Sequence, residues 1–196
     1  MYINLDKLLE DIFNYEKEFR YYIDEDRKTI QKLNEIMDCH YKKEDANDFF
    51  SDEYQIKSEL NNSLLISIFG RYESVFNTLC LVVKRSLNIN LTHEDLRGTG
   101  FKRVIVYLEK LNLLDSKKIK AYDKIDSWRI IRNTITHNSS VPEEKNEKHV
   151  LKTEVFWSGD TNALHITKED CLKLIDDIEY LFQEIVDEIK KLNVSN

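Results

Sequence analysis

Apolar residues recur at every third or fourth position along most of this 196-residue chain, and only four glycines and one proline interrupt it. This spacing matches the 3.6 residues of one helical turn. It is clearest in residues 60–87, where the apolar stripe consists of Leu60, Leu64, Leu65, Ile68, Phe69, Tyr72, Val75, Phe76, Leu79, Val83 and Leu87. The pattern predicts an all-α protein built from long helices.

The same spacing predicts four further helices, over residues 3–41, 101–114, 117–138 and about 168–192. The first has a polar middle, Asp24 to Thr29, where we expect a break or a kink, and an acidic connector, Glu44 to Glu53, follows it. Thr92 with Asp95 and Thr167 with Asp170 have the spacing of capping boxes. Asp115 and Ser116 offer an N-cap for the helix that begins at Lys117.

The pattern changes after Pro142. Val150 to Trp157 and Ala163 to Ile166 are separated by a Gly- and Asn-containing turn, which is typical of a β-hairpin. We therefore predict a bundle of about five helices with a small β-hairpin inserted before the last helix. We expect residues 1–53 to form a helical arm with its acidic connector, and residues 54–196 to form the bundle.

Composition argues against several classes of protein. No apolar run approaches the ~20 residues of a membrane span, and the first residues lack the basic region of a signal peptide. The three cysteines, Cys39, Cys80 and Cys171, are scattered, and the five histidines lack the spacing of metal ligands. We expect a cytoplasmic protein without a membrane segment, a metal or another cofactor.

Charge is unevenly distributed. The segment from Arg97 to His137 has ten Lys or Arg and four Asp or Glu, a net +6, so the rest of the chain carries −13 of the total of −7. A basic segment in an acidic protein predicts a local anion site, with a solvated basic helix face as the alternative. The same two interpretations apply to four lysines that could follow an RNA backbone, Lys117, Lys118, Lys120 and Lys124.

Polar side chains of an unusual kind share one face of the helix predicted over residues 117–138. At ~100° per residue, with Arg132 at about 0°, Asn133 falls near 100° and His137 near 140°, while Arg129 and Thr136 lie between them. An ordinary exposed face would carry Lys and Glu. Arginine can bind phosphate oxygens and histidine can move a proton near neutral pH.

One segment of this helix resembles the Arg-x4–6-His motif of the HEPN superfamily, including the polar residue that follows the arginine: Arg132-Asn133-Thr134-Ile135-Thr136-His137. Its context is similar too, because it lies on a late helix and follows an apolar helix with an acidic residue in its stripe. The resemblance covers Leu60 to Leu192. It implies an HEPN-like helical bundle and a homodimer in which two motifs face each other across a cleft.

The resemblance also implies a function. Many HEPN proteins are metal-independent endoribonucleases that act as toxins or phage-defence effectors, often restrained by an antitoxin or another inhibitory partner. By analogy, His137 would be a general acid or base, Arg132 would stabilise charge on the phosphate, and Asn133 would orient His137 or the phosphate. The alternatives are a non-catalytic HEPN module that binds RNA, a nucleotide or a protein, and an unrelated helical bundle.

Two further residues, Ser139 and Glu73, lead to predictions about regulation and about the packing of the motif helix. In HEPN toxins silenced by a nucleotidyltransferase a tyrosine commonly follows two residues after the histidine, and Ser139 stands there instead. Glu73 lies between Phe69 and Phe76 on an apolar face, where a carboxylate is costly to bury unless a cation meets it. We expect Arg129, or else Arg132, to pair with Glu73. The alternative is that Glu73 lies at the edge of the stripe and reaches water.

Overall fold

A computed structural model describes residues 5–41, 52–158 and 162–192, and within these ranges the protein is all-α, as predicted. The helices are α1 Leu5–Tyr41, α2 Asp52–Leu87, α3 Gly100–Lys110, α4 Ala121–His137, α5 Glu147–Thr153 and α6 Lys168–Lys191. Short 3-10 helices span His93–Asp95, Ser116–Lys118 and Glu144–Asn146, and the two strands are β1 Phe156–Trp157 and β2 Leu164–His165.

The hairpin before the last helix is confirmed, although it is shorter than predicted. Strands β1 and β2 are antiparallel, with Phe156 opposite His165. The first predicted strand was wrong over Val150–Thr153, which belong to α5. Val150 and Thr153, three residues apart, are both buried, whereas Leu151 is 77% exposed, so burial here follows the period of a helix and not the alternation of a strand.

Several helix boundaries also differ from the prediction. Helix α1 continues through the polar segment Asp24–Thr29. The predicted connector lies partly outside the described residues, and its last two, Asp52 and Glu53, begin α2. Both capping boxes are confirmed: the Asp95 carboxylate accepts from Thr92 N–H at 2.8 Å, and the Asp170 carboxylate accepts from Thr167 N–H at 2.9 Å.

Contacts within the chain divide it into two compact units, each assembled from separate segments. Unit 1 comprises residues 1–23, 70–122 and 178–196, and unit 2 comprises residues 24–69 and 123–177. The first helix therefore contributes residues to both. The predicted division into an arm over 1–53 and a bundle over 54–196 stays a prediction.

Unit 1 has an aromatic core. The rings of Phe19 and Phe182 are stacked with centroids 3.8 Å apart, and Phe76 meets Phe101 edge-on at 4.9 Å. Tyr72 packs against Phe19 at 5.8 Å. Such ring pairs add roughly 0.5–1.5 kcal/mol each beyond the area they bury. Phe19 of α1 is thereby fixed to α2 and α6 within this unit.

Unit 2 contains the motif helix α4 and is centred on aliphatic residues and one tryptophan. Trp128 and Ile131 of α4 and Phe69 of α2 are fully buried, as are Leu174 and Ile175 of α6. Of the two cysteines of this unit, Cys39 is exposed and Cys171 is buried, and burial raises the pKa of the Cys171 thiol to about 12. It is a core residue.

One helical stretch is more apolar than we expected from the sequence. Within α2, residues 55–87 are long and apolar enough to cross a membrane by length and composition alone, and 44% of the most apolar window is buried inside the protein. The core helix of a soluble protein has the same features. The cytoplasmic location stays a prediction.

Candidate functional site

The motif helix α4 is held in unit 2 by a buried tryptophan with a polar anchor. Trp128 is 0% exposed, and its indole N–H donates to Oδ2 of Asp177 on α6 at 2.7 Å. The other oxygen of the same carboxylate lies 3.0 Å from Nζ of Lys124, one turn earlier on α4. Because the Asp177 carboxylate binds both Trp128 and Lys124, it fixes the rotation of α4 about the helix axis.

Arg132 lies on this helix in a half-buried position. Its guanidinium carbon is 5.2 Å from the centre of the Phe69 ring, within the range of cation–π attraction. Phe69 itself is fully buried. The ring therefore gives the guanidinium a flat surface on one side, and this restricts where the cation can point.

The remaining motif residues follow the arginine toward the end of the helix. Asn133 is half-buried, whereas Thr136 and His137 are exposed. The Thr136 hydroxyl donates to the Arg132 carbonyl at 2.8 Å, so its proton is committed to the backbone. In ideal helix geometry Cα atoms five residues apart are about 9 Å from each other. The Cα atoms of Arg132 and His137 are therefore less than two helical turns apart.

His137 is the last residue of α4, and the chain turns sharply after it. Ser139 and Ser140 adopt left-handed backbone conformations, with φ of 48° and 64°. The N–H groups of Asn138 and Ser140 both donate to the Thr134 carbonyl, at 3.0 and 3.3 Å. This pattern resembles a Schellman ending and satisfies a carbonyl that the helix leaves unpaired. The imidazole is consequently presented at a well-defined helix end.

Arg129 pairs with a carboxylate that was not among the predicted site residues. Its Nε donates to Oδ1 of Asp126 at 2.8 Å, and both side chains are about one-third exposed. The polar face therefore carries one carboxylate, three residues before Arg129. The i, i+3 spacing could have revealed this pair. Asp126 therefore neutralises Arg129 locally.

Glu73 of α2 is half-buried in unit 1, and its side chain lies next to the start of α3. Gly100, the first residue of α3, approaches it so closely that a Cβ atom there would overlap the Glu73 carboxylate. A carboxylate at a helix N-terminus is favoured by the helix dipole. The expected pairing of Glu73 with Arg129 or Arg132 would join residues of the two units and stays a prediction.

Gly100 gives a direct test of this contact. Gly100→Ala should destabilise the protein by roughly 1–3 kcal/mol, because φ is +53° and the new methyl group meets Glu73. The matched control is Gly70→Ala on α2, which has open space around it and should stabilise by about 0.5–1 kcal/mol. Urea unfolding measures both. Equal effects of the two substitutions would contradict the close approach.

The four lysines predicted to follow an RNA backbone are not equivalent. Lys118 lies 3.6 Å from a Glu188 carboxylate oxygen in unit 1, and Lys124 is the lysine paired with Asp177 in unit 2. Lys117 and Lys120 are exposed and make no ion pair within the described residues. The first three lysines precede α4 and do not lie on it, since Ser116–Lys118 form a 3-10 helix. The prediction of a helix beginning at Lys117 was therefore wrong.

A second polar contact links α4 to α5. The Ser127 hydroxyl donates to the Asp123 carbonyl at 3.0 Å and lies 3.0 Å from Nδ1 of His149 on α5. Burial is the main cause that lowers the pKa of His149, and Lys148 lowers it further. Ser127 is 0% exposed and cannot meet a substrate. The pair ties α5 to the motif helix.

Comparisons with protein-family models, with curated proteins and with solved structures found no match. The resemblance to the HEPN superfamily accordingly rests on the motif and its helical setting. Within the described ranges, no three His, Cys, Asp or Glu side chains cluster as metal ligands would.

Proposed function

We propose that this protein is a metal-independent endoribonuclease of HEPN type, with Arg132, Asn133 and His137 as its catalytic residues. One observation carries the proposal: a half-buried arginine, oriented by Phe69, and an exposed histidine at the helix end lie five residues apart on α4. These are the two chemical functions that RNA cleavage needs beyond the RNA itself.

The reaction uses the 2′-hydroxyl of the substrate as nucleophile. The His137 imidazole takes the 2′-hydroxyl proton, the 2′-oxygen attacks the adjacent phosphorus, and the bond from phosphorus to the 5′-oxygen breaks. The leaving 5′-oxygen takes up a proton from water, the His137 imidazolium returns its proton to the solvent, and the other product ends in a 2′,3′-cyclic phosphate. Arg132 stabilises the charge that develops on the phosphate oxygens, and Asn133 orients the imidazole or the phosphate.

The proposed enzyme is tested by incubating the purified protein with a single-stranded RNA in the presence of a chelator. We expect cleavage to survive chelation and to leave 2′,3′-cyclic phosphate ends, because no step requires a metal. Cleavage that depends on added magnesium would contradict the mechanism. RNA binding without cleavage would favour the non-catalytic HEPN module.

The proposal includes a homodimer with two α4 helices near the two-fold axis. Ile130, beside the polar face, is half-buried and available to a partner, whereas Thr134, one turn later on α4, is 2% exposed and is not available. Sedimentation velocity at tens of micromolar, about the concentration at which weak dimers dissociate, should show a dimer. A monomer throughout that range would contradict it.

The biological role is proposed on the same basis. A metal-independent ribonuclease is harmful to its own cell, so we propose a toxin or phage-defence effector with an antitoxin or other inhibitory partner. Ser139 stands where a modified tyrosine would be, which favours inhibition by binding over inhibition by tyrosine modification.

A further inference from the structure

Unit 2 contains a cavity, and none of the motif residues is among the residues that line it. Its walls come from the last turns of α1, the first turns of α2 and the segment from β2 into α6, and its volume is about 380 Å³. At ~30 Å³ per water molecule the cavity has room for about a dozen waters, or for a ligand of about ten non-hydrogen atoms. It is therefore of a size for a small metabolite.

Two buried asparagines line the cavity. Asn34 of α1 and Asn61 of α2 are each 4% exposed. Nδ2 of Asn34 donates to the Ile30 carbonyl at 2.9 Å, which leaves its Oδ1 as an acceptor. Oδ1 of Asn61 has no hydrogen-bond partner among the described residues. An unmet buried acceptor costs roughly 1–3 kcal/mol, so a ligand donor that reaches Asn61 Oδ1 would be favoured.

The wall formed by α6 offers the opposite chemistry. Thr167 and Lys168 line the cavity at the start of this 24-residue helix. The Asp170 N–H of the first turn donates to the Thr167 hydroxyl at 3.2 Å, which leaves the N–H groups of Lys168 and Glu169 for a ligand, and the helix dipole favours an anion there. Lys168 adds a positive charge, whereas the Asp170 carboxylate is occupied by the N–H and hydroxyl of Thr167. This wall is suited to a carboxylate.

The other charges around the cavity balance. Lys57 and Asp38 pair with each other at 2.8 Å, and Glu169 offsets Lys168. His165 also lines the cavity, and burial lowers its pKa, which favours the neutral imidazole. No Phe, Tyr or Trp is among the described lining residues, although such rings commonly stack on a nucleobase. A neutral polar cavity with separate donor and acceptor walls fits a small zwitterion.

We propose that this cavity binds a free α-amino acid. Its carboxylate accepts from the N–H groups of Lys168 and Glu169 and from the Lys168 side chain, and its ammonium group donates to Oδ1 of Asn61 and of Asn34. The site shares no lining residue with the ribonuclease motif, and the proposal does not depend on ribonuclease activity.

The test is a thermal-shift screen of the full chain against the free L-α-amino acids, each at ~10 mM, followed by calorimetric titration. We expect at least one amino acid to raise the melting temperature by roughly 5 °C at saturation. The N-acetyl derivative and the carboxamide of that amino acid should each bind at least about 10-fold more weakly, since each lacks one charge. No shift with any amino acid, or equal binding of a blocked derivative, would overturn the proposal. So would a response to nucleoside monophosphates alone.

Variants locate the binding in this cavity. Asn61→Ala should weaken binding of the amino acid by about 10-fold or more. Lys168→Gln should weaken binding to a smaller extent. The matched control for the surface substitution is Lys173→Gln, on the same helix and outside the lining, which should bind normally. Ser58→Phe fills the cavity and should abolish binding while the circular dichroism stays helical. Full affinity in both Asn61→Ala and Ser58→Phe would overturn the site.

Discussion

His137→Ala should lower the rate of RNA cleavage by about 10²-fold or more, the usual contribution of a general acid or base, while the protein stays folded. The side chain is exposed at the end of α4 and makes no hydrogen bond within the described residues, so little stability depends on it. Cleavage of a labelled RNA under single-turnover conditions gives the rate, and thermal unfolding checks the fold.

Arg132 allows a graded version of the same experiment. Arg132→Ala should lose activity to a similar extent and also a little stability, since its guanidinium lies over Phe69. Arg132→Lys keeps the charge but loses the planar fork, and we expect intermediate activity. Lys148→Ala, an exposed change on α5, is the control and should cleave normally. An active His137→Ala enzyme would refute the proposed mechanism, whatever the arginine variants do.

Trp128→Ala should destabilise the protein by roughly 3–5 kcal/mol, the cost of removing a large aromatic side chain from a core. Trp128 is completely buried on the motif helix, and its indole N–H is used by Asp177. Since whole domains are stable by only ~5–15 kcal/mol, such a loss should be evident in urea unfolding. A loss below about 1 kcal/mol would show that the indole is not part of the core.

A double-mutant cycle separates the hydrogen bond from the packing. Trp128→Phe removes the N–H and keeps an aromatic ring, and Asp177→Asn weakens the acceptor. Their effects should be non-additive by at least about 0.5 kcal/mol, because the residues are in direct contact. Asp176→Asn is the control, since Asp176 is 63% exposed and pairs with Arg27 at the surface. It should cost less than about 1 kcal/mol and combine additively with Trp128→Phe.

The parts of the fold that were predictable are those encoded by neighbouring residues. The apolar stripes of α2 and α6 and the capping boxes at Thr92 and Thr167 involve positions three or four apart, so their geometry can be read directly from the spacing. Val150 to Thr153 illustrate the limit. In so short a segment the sequence alone does not show which side chains are buried, and only the tertiary structure decides between helix and strand.

The site was predictable to a similar extent. The shared face of Arg132, Asn133 and His137 follows from helical periodicity. The Asp126–Arg129 pair could have been predicted from the same periodicity. The Trp128–Asp177 bond joins residues 49 positions apart, and no local pattern marks which carboxylate meets the indole. The ring of Phe69 beneath Arg132 was hidden for the same reason.

The stack between Phe19 and Phe182 has a consequence during protein synthesis. The two rings are separated by 163 residues in the chain (182 − 19). At ~5–20 residues per second, a ribosome needs roughly ten to thirty seconds to make the second ring after the first. Throughout that interval the apolar face of α1 lacks its α6 partner, and the nascent chain exposes it to chaperones and to neighbouring polysomes. A product released before residue 178 would lack one of the three segments of unit 1, so premature termination should yield a chain that is degraded and not a partly folded protein.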